Sequence, residues 1–186
     1  MTIDLNALYT DLHQHPELSF QETRTALIAA GHLRDLGFEV TEGVGVTGVV
    51  GLLANGEGPV VWLRADMDAL PVEELTGLPY ASTAQGKDPS GNTVPIMHAC
   101  GHDMHVTAMV GAAERLIATR DEWSGTVVIL IQPAEEYGAG SRAMLDDGLL
   151  DRFPRPDIVL GQHVTPLPAG TIGLRPGTQM AASDGL

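Results

Sequence analysis

Four clusters of ionisable and metal-ligating side chains stand out in this chain of 186 residues. Asp66 and Asp68 follow an apolar run that ends near Ala65, and Glu135 and Glu136 follow one that ends near Ile131. His163 follows a shorter run ending near Leu160, and the stretch His98-Ala99-Cys100-Gly101-His102-Asp103 opens a helical pattern. Where such runs are strands of an open α/β sheet, their carboxyl ends line the edge at which ligands bind. Crowded carboxylates repel one another unless cations neutralise them, and thiol and imidazole groups are good ligands for zinc-like metals. A two-metal hydrolytic site uses such a set: ligands for both ions, a bridging group, and one uncommitted carboxylate to accept a proton. Gly101 can adopt an unusual backbone angle that turns both Cys100 and His102 toward one ion. The adjacent Glu135 and Glu136 can divide the tasks of ligand and base.

Each residue also has a plainer reading. A single cysteine is usually a small buried hydrophobe. Aspartates such as Asp66 and Asp68 commonly sit in turns at strand ends, and Glu135-Glu136 suits a solvated helix start. Cys100 with a histidine base would make a cysteine hydrolase, although that leaves Glu135, Glu136 and His163 without a task. His13, His15 and His32 follow no pattern and read as surface or loop residues; His105 reads as a flank of a helix start, and His98 fits either scheme.

The elements that must position these groups follow from periodicity. Leu5, Leu8 and Leu12 predict a short helix before His15-Pro16. Ser19 to Glu22 reads S-x-x-E, a capping box, opening a helix with Ala26, Leu27, Ala30, Leu33 and Leu36 on one side and Gly37 at its stop. Residues 48–54 and 59–65 are β-rich and joined by Asn55-Gly56-Glu57-Gly58, a hairpin signal. Residues 82–95 are polar and turn-rich, a surface loop. A helix is expected from near Asp103 to Thr119 and a strand buried on both faces over 126–131. Then come a helix over 139–147, a short strand over 157–160, and a glycine-punctuated tail, 170–177, read as a hairpin or edge segment. The fold class expected is α/β, a mixed and largely parallel open sheet flanked by helices.

Charge narrows the partners. The chain has 24 acidic against 10 basic residues, a formal net charge of −14, so a phosphate backbone or an anionic membrane surface would repel it. One cysteine cannot form an internal disulfide, and no stretch approaches the roughly 20 apolar residues of a membrane span. The start carries no apolar leader, and the expectation is a soluble cytoplasmic protein that binds neither nucleic acid nor membrane.

Taken in order, several segments resemble a known family. They are Leu12-His13-Gln14-His15-Pro16-Glu17-Leu18-Ser19, Leu63-Arg64-Ala65-Asp66-Met67-Asp68-Ala69-Leu70-Pro71 and Met97-His98-Ala99-Cys100-Gly101-His102-Asp103. Gln132-Pro133-Ala134-Glu135-Glu136, Gly161-Gln162-His163-Val164, Gly170-Thr171-Ile172-Gly173 and Arg175-Pro176-Gly177 complete the set. The chain resembles the N-terminal part of the di-metal amidohydrolases that include hippurate hydrolases, N-acyl-amino-acid hydrolases and auxin-conjugate hydrolases, within the carboxypeptidase-like co-catalytic metallopeptidases.

The resemblance implies hydrolysis of the amide bond of N-acyl amino acids or related small amides, with water activated by two divalent metal ions: manganese, zinc or cobalt. It implies Cys100 as a thiolate bridging both ions, with His102, Glu136 and His163 as further ligands. Glu135 matches the general base, Asp68 the aspartate supporting the centre, and Asp66 stands where related carboxypeptidases have a histidine ligand. The connection 84–96 is longer than in many members. Members continue into an inserted dimerisation domain and a C-terminal return that carries a last histidine ligand. Residues 1–186 therefore correspond to the N-terminal part of the catalytic domain, with a homo-oligomeric longer form. By itself the chain is expected to be a weak or inactive hydrolase, and the alternative is a non-catalytic metal-binding domain.

Overall fold

The structure, a computed structural model, describes residues 2–174, 176 and 177. In chain order the first elements are α1 (Leu5–Gln14), α2 (Thr23–Asp35), β1 (Glu39–Val44), β2 (Gly48–Asn55) and β3 (Val60–Asp66). There follow β4 (Gln85–Lys87), β5 (Thr93–Pro95), α3 (His102–Ala118), β6 (Gly125–Gln132), α4 (Gly140–Asp146), α5 (Leu149–Arg152) and β7 (Ile158–Gly161).

The apolar run from Val127 to Ile131 makes β6 the centre of a five-stranded sheet ordered β1-β2-β6-β3-β7. Alternate side chains point to opposite faces of a strand, and on β6 both sets are apolar. Val127, Ile129 and Ile131 pack with Leu12 of α1, Leu33 of α2 and Val106 and Val110 of α3. Val128 and Leu130 pack on the other face with Trp62, Met144 of α4 and Leu149 of α5. The sheet is thus mixed and helix-covered on both faces. β3 runs parallel to β6 and to β7, while β2 runs antiparallel to both β1 and β6. Among the described residues no helix is long and apolar enough to cross a membrane.

Four local expectations are corrected. Residues 48–54 and 59–65 do not form a hairpin: β6 lies between them, from Val49↔Ile131 on one side and to Asp66↔Gln132 on the other. A strand that is apolar on both faces gains most in the middle of the sheet, and its insertion separates β2 from β3. The hairpin lies one strand earlier, where β1 pairs with β2 from Glu39↔Leu52 to Val44↔Gly48. Residues 82–95 are not wholly loop, since β4 and β5 pair from Gln85↔Pro95 to Lys87↔Thr93 above a small cluster of Leu18, Ala69 and Ile96. In the tail, residues 170–174 form no strand, and residue 175 lies outside the described residues.

The capping box is the fourth correction. Ser19 donates instead to Asp68 Oδ2 at 2.6 Å. Glu22 sits at the N-cap of α2 but makes no side-chain cap bond. Its buried carboxylate accepts from Thr47 Oγ1 at 2.6 Å and from the Ala134 amide at 2.8 Å. Glu17 caps the helix instead, accepting from the amides of Arg24 at 3.0 Å and Thr25 at 2.7 Å. Helix ends need an acceptor for their free amides, and any carboxylate in reach supplies one.

Glu22 therefore joins α2 to the turns after β1 and β6, and its removal leaves a buried hydroxyl and a buried amide without a partner. Glu22→Ala should lower the unfolding free energy by roughly 1–3 kcal/mol in urea denaturation. An unchanged urea midpoint would show that Thr47 and Ala134 find other partners.

Candidate metal centre

Parallel β3, β6 and β7 end at one edge of the sheet and deliver Asp66 and Asp68, Glu135 and Glu136, and His163 there. Asp68 ties the edge together. Its Oδ1 accepts from the Glu135 amide at 3.0 Å, and its Oδ2 accepts from the Glu136 amide at 3.0 Å and from Ser19. Its backbone carbonyl accepts from His102 Nδ1 at 2.8 Å. Burial alone would raise the Asp68 pKa, but the bonds from His102, Ser19 and the two amides outweigh it and bring it below the usual carboxylate range. Ahead of the two glutamates, Ala134 adopts φ +45°, a costly angle for a residue with a side chain, in a buried turn held by Glu22.

The loop before α3 is shaped by Gly101, at φ +81°. A Cβ there would lie 2.6 Å from Val164 Cγ2, so glycine is required both by the angle and by the approach of the His163 loop. Two ring tautomers follow from chemistry alone. A carbonyl can only accept, so His102 Nδ1, bonded to the Asp68 carbonyl, carries the proton. His163 Nδ1 donates likewise to the Val164 carbonyl at 2.7 Å. In the neutral rings both Nε2 lone pairs are therefore presented, and His163 Nε2 lies 3.4 Å from Cys100 Sγ.

One donor atom from each of Cys100, His102 and His163 lies within 4.8 Å of the other two. The same holds for His102, Glu135 and Glu136 and for Asp66, His102 and His105, so His102 belongs to all three triads. Its Nε2 stands 3.9 Å from Glu135 Oε2 and 3.9 Å from Glu136 Oε1. His102 Nε2 and Glu136 Oε1 are buried with no hydrogen-bond partner among the described residues. Unpaired buried polar atoms are costly, and a cation between them would satisfy both. This donor set of thiol, two imidazoles and carboxylates fits divalent transition metals.

The local charges point the same way. Burial and then the neighbouring Glu136, Glu135 and Asp66 push the Cys100 thiol up to about 11, the opposite of what a free nucleophilic cysteine needs. Burial and Glu135 raise Glu136, and although burial lowers His102, the carboxylates of Asp68, Asp66 and Glu136 raise it overall.

His13 and His105 differ from their sequence reading, and His98, left open there, is placed by the structure. His13 is buried, with Nδ1 at 2.6 Å from Asp103 Oδ2 and Nε2 at 3.1 Å from Glu74 Oε1. His105 is buried too, with Nδ1 at 2.5 Å from Asp66 Oδ1 and Nε2 accepting from the Val164 amide at 2.9 Å. His98 is buried with neither ring nitrogen bonded among the described residues, and burial lowers its pKa to about 4. The one clue to His13 was its place among the recognisable segments; its partners lie 61 and 90 residues away in sequence.

The sequence profile of Peptidase family M20/M25/M40 matches residues 62–181. The chain belongs to this family. It is 45% identical over 175 residues to the N-acetyl-L-cysteine deacetylase of Bacillus subtilis (strain 168), covering 93% of this chain and 39% of that protein. It is 42% identical to the hippurate hydrolase of Campylobacter jejuni, with 93% of this chain and 43% of that enzyme covered. Among solved structures, the Bacillus subtilis YxeP protein, a dinuclear metal binding peptidase of the M20 family, superposes with a TM-score of 0.80 at 40% identity, covering 92% of this chain and 45% of that one. This M20 chain thus spans less than half the length of those relatives.

The pair of carboxylates around His13 generates a pH prediction. Burial lowers the His13 pKa, but the bonds to Asp103 and Glu74 outweigh it and raise it above the usual 6.5. A raised imidazole stabilises the fold fully below its unfolded pKa, and the contribution fades as pH rises through the folded value. The gap in urea midpoint between wild type and His13→Gln should be larger at about pH 6 than at about pH 9. A gap that is equal or widens toward high pH would show that His13 is not held as imidazolium.

Proposed function

We propose that this chain carries the metal centre of an amidohydrolase that cleaves the amide bond of N-acyl amino acids or related small amides. The observation that carries the reading is the pair of tautomers: His102 and His163 each spend Nδ1 on a backbone carbonyl and turn Nε2 toward Cys100, Glu135 and Glu136. Cys100 would bridge two divalent ions, with His102, Glu136 and His163 as the further ligands supplied here. Manganese, zinc and cobalt all suit the mixed thiolate, imidazole and carboxylate set. The names of the relatives, a deacetylase and a hippurate hydrolase, support an acylated amino acid as substrate.

When bound, the ions supply Lewis acidity, polarising the amide carbonyl and making water a better nucleophile. Glu135 is the more exposed of the two glutamates, at 36% against 17% for Glu136, which suits it to meet water and substrate. Its carboxylate takes the proton from the attacking water and delivers it to the leaving nitrogen as the C–N bond breaks, giving a carboxylate and an amine. Asp68 acts through others: it holds the amides of Glu135 and Glu136 and, by its carbonyl, the ring of His102. Residues 1–186 form the N-terminal part of the catalytic domain of a cytoplasmic, homo-oligomeric enzyme that takes small molecules and neither nucleic acid nor membrane. The net charge of −14 supports that exclusion.

Elemental analysis and kinetics on hippurate and N-acetyl amino acids separate the roles. A longer form that also carries the last histidine ligand should hold two divalent ions per chain, and its Cys100→Ser and Glu136→Gln variants should lose metal. Glu135→Gln should keep the metal and substrate affinity while kcat falls roughly 10²–10⁴-fold. Full occupancy in Cys100→Ser would remove the bridge, and exchanged phenotypes for the two glutamates would reverse their assignment.

A further inference from the structure

His105 fits no role that the sequence reading gave it. It lies one turn beyond His102 on α3, buried, and one of its nitrogens falls within 4.8 Å of donor atoms of Asp66 and His102. That grouping looks like a third set of ligands. The hydrogen bonds argue otherwise. An amide N–H can only donate, so the Val164 amide 2.9 Å from His105 Nε2 requires a lone pair there. The proton of the neutral ring then sits on Nδ1, 2.5 Å from Asp66 Oδ1. Asp66 is itself steadied by Arg64, whose guanidinium lies 2.8 Å from Oδ2. Both His105 nitrogens are occupied.

What they hold is the loop that carries His163. β7 is exposed along its whole length, and residues 162–174 are exposed as well. Among the described residues, only two hydrogen bonds join residues 162–174 to the rest of the chain. One is the contact of His163 with Cys100, and the other is the bond from Val164 to His105. The same Val164 accepts from His163 Nδ1 through its carbonyl and packs on Gly101. The rings of His105 and His163 meet edge to face with centroids 4.6 Å apart.

We propose that His105 is a positioning residue: through Asp66 on one side and the Val164 amide on the other, it anchors the exposed loop that presents His163 to the metal centre. The proposal rests on the reading of His163 as a ligand. Residues that orient a ligand through hydrogen bonds typically contribute 10–100-fold to metal affinity.

Two variants divide the ring's functions. Asn has its amide near the place of Nδ1 and can donate to Asp66, but it leaves the Val164 amide without an acceptor. Gln reaches the place of Nε2 and offers that acceptor. Cobalt(II) titrations of the full chain, followed by the thiolate-to-cobalt absorbance, should show His105→Asn weakened roughly 10–100-fold, approaching His163→Ala, and His105→Gln within a few-fold of wild type. A purely structural role would weaken both variants alike, and that result overturns the proposal. So does wild-type affinity in His105→Asn alongside a weakened His163→Ala. Wild-type affinity in His163→Ala would instead overturn the ligand reading and the proposal with it. Nitrogen-15 NMR of the metal-free wild-type chain gives a check that needs no variant to fold: His105 should be the Nδ1–H tautomer, and an Nε2–H signal would refute the bond to Val164.

Discussion

Asp68 makes one set of contacts on which the rest of the centre depends. Its side chain and carbonyl together bind Ser19 from the turn before α2, His102 from α3, and the amides of Glu135 and Glu136 after β6. Three separate stretches of chain converge on one residue just past the end of β3. The bonds to the two amides fix the backbone from which Glu135 and Glu136 reach toward His102. A buried carboxylate with that many donors stays ionised, as its lowered pKa reflects. The stability of the edge and the chemistry of the site are in this sense one arrangement.

The same logic recurs one step outward. Two imidazoles owe their tautomers to backbone carbonyls, and a third, His105, owes its tautomer to a backbone amide. Opposite partners give opposite functions. A carbonyl at Nδ1 leaves Nε2 free to bind a cation, whereas an amide at Nε2 commits the ring to holding backbone. Beyond these lies His13, with Asp103 on one nitrogen and Glu74 on the other, fastening the start of α3 to α1 and to the chain after β3. The carboxylates of Asp66, Asp68, Glu135 and Glu136 make this edge one that favours cations.

Backbone angles complete the positioning. Gly101 at φ +81° and Ala134 at φ +45° bend the chain immediately before His102 and Glu135, the residues that face each other across 3.9 Å. The two bends differ in how they are sustained. Glycine adopts its angle freely, and Ala134 is held by burial and by the Glu22 carboxylate. The turn after β6 thus depends on a residue that the chain's local pattern assigns to a helix cap.

Much of this protein was determined locally. Helices α1, α2 and α3 and strands β6 and β7 follow from apolar spacing, and the residues of the centre lie in short segments whose types already imply metal chemistry. Glycine and proline placed most boundaries because their backbone preferences act within a few residues. The tertiary structure alone decided what those segments meet. The apparent hairpin between β2 and β3 opened to admit β6, because that strand is apolar on both faces. Ser19 and Glu22 left their capping pattern for Asp68, Thr47 and Ala134, where burial makes an acceptor more valuable than at an exposed helix end. His13 and His105 carry no local sign of their partners, since those lie between 39 and 90 residues away in sequence. Residue type announces what chemistry a side chain can do. For His102 and His105, which nitrogen carries the proton, and toward what it turns, is set by backbone groups that only the folded chain brings within 3 Å.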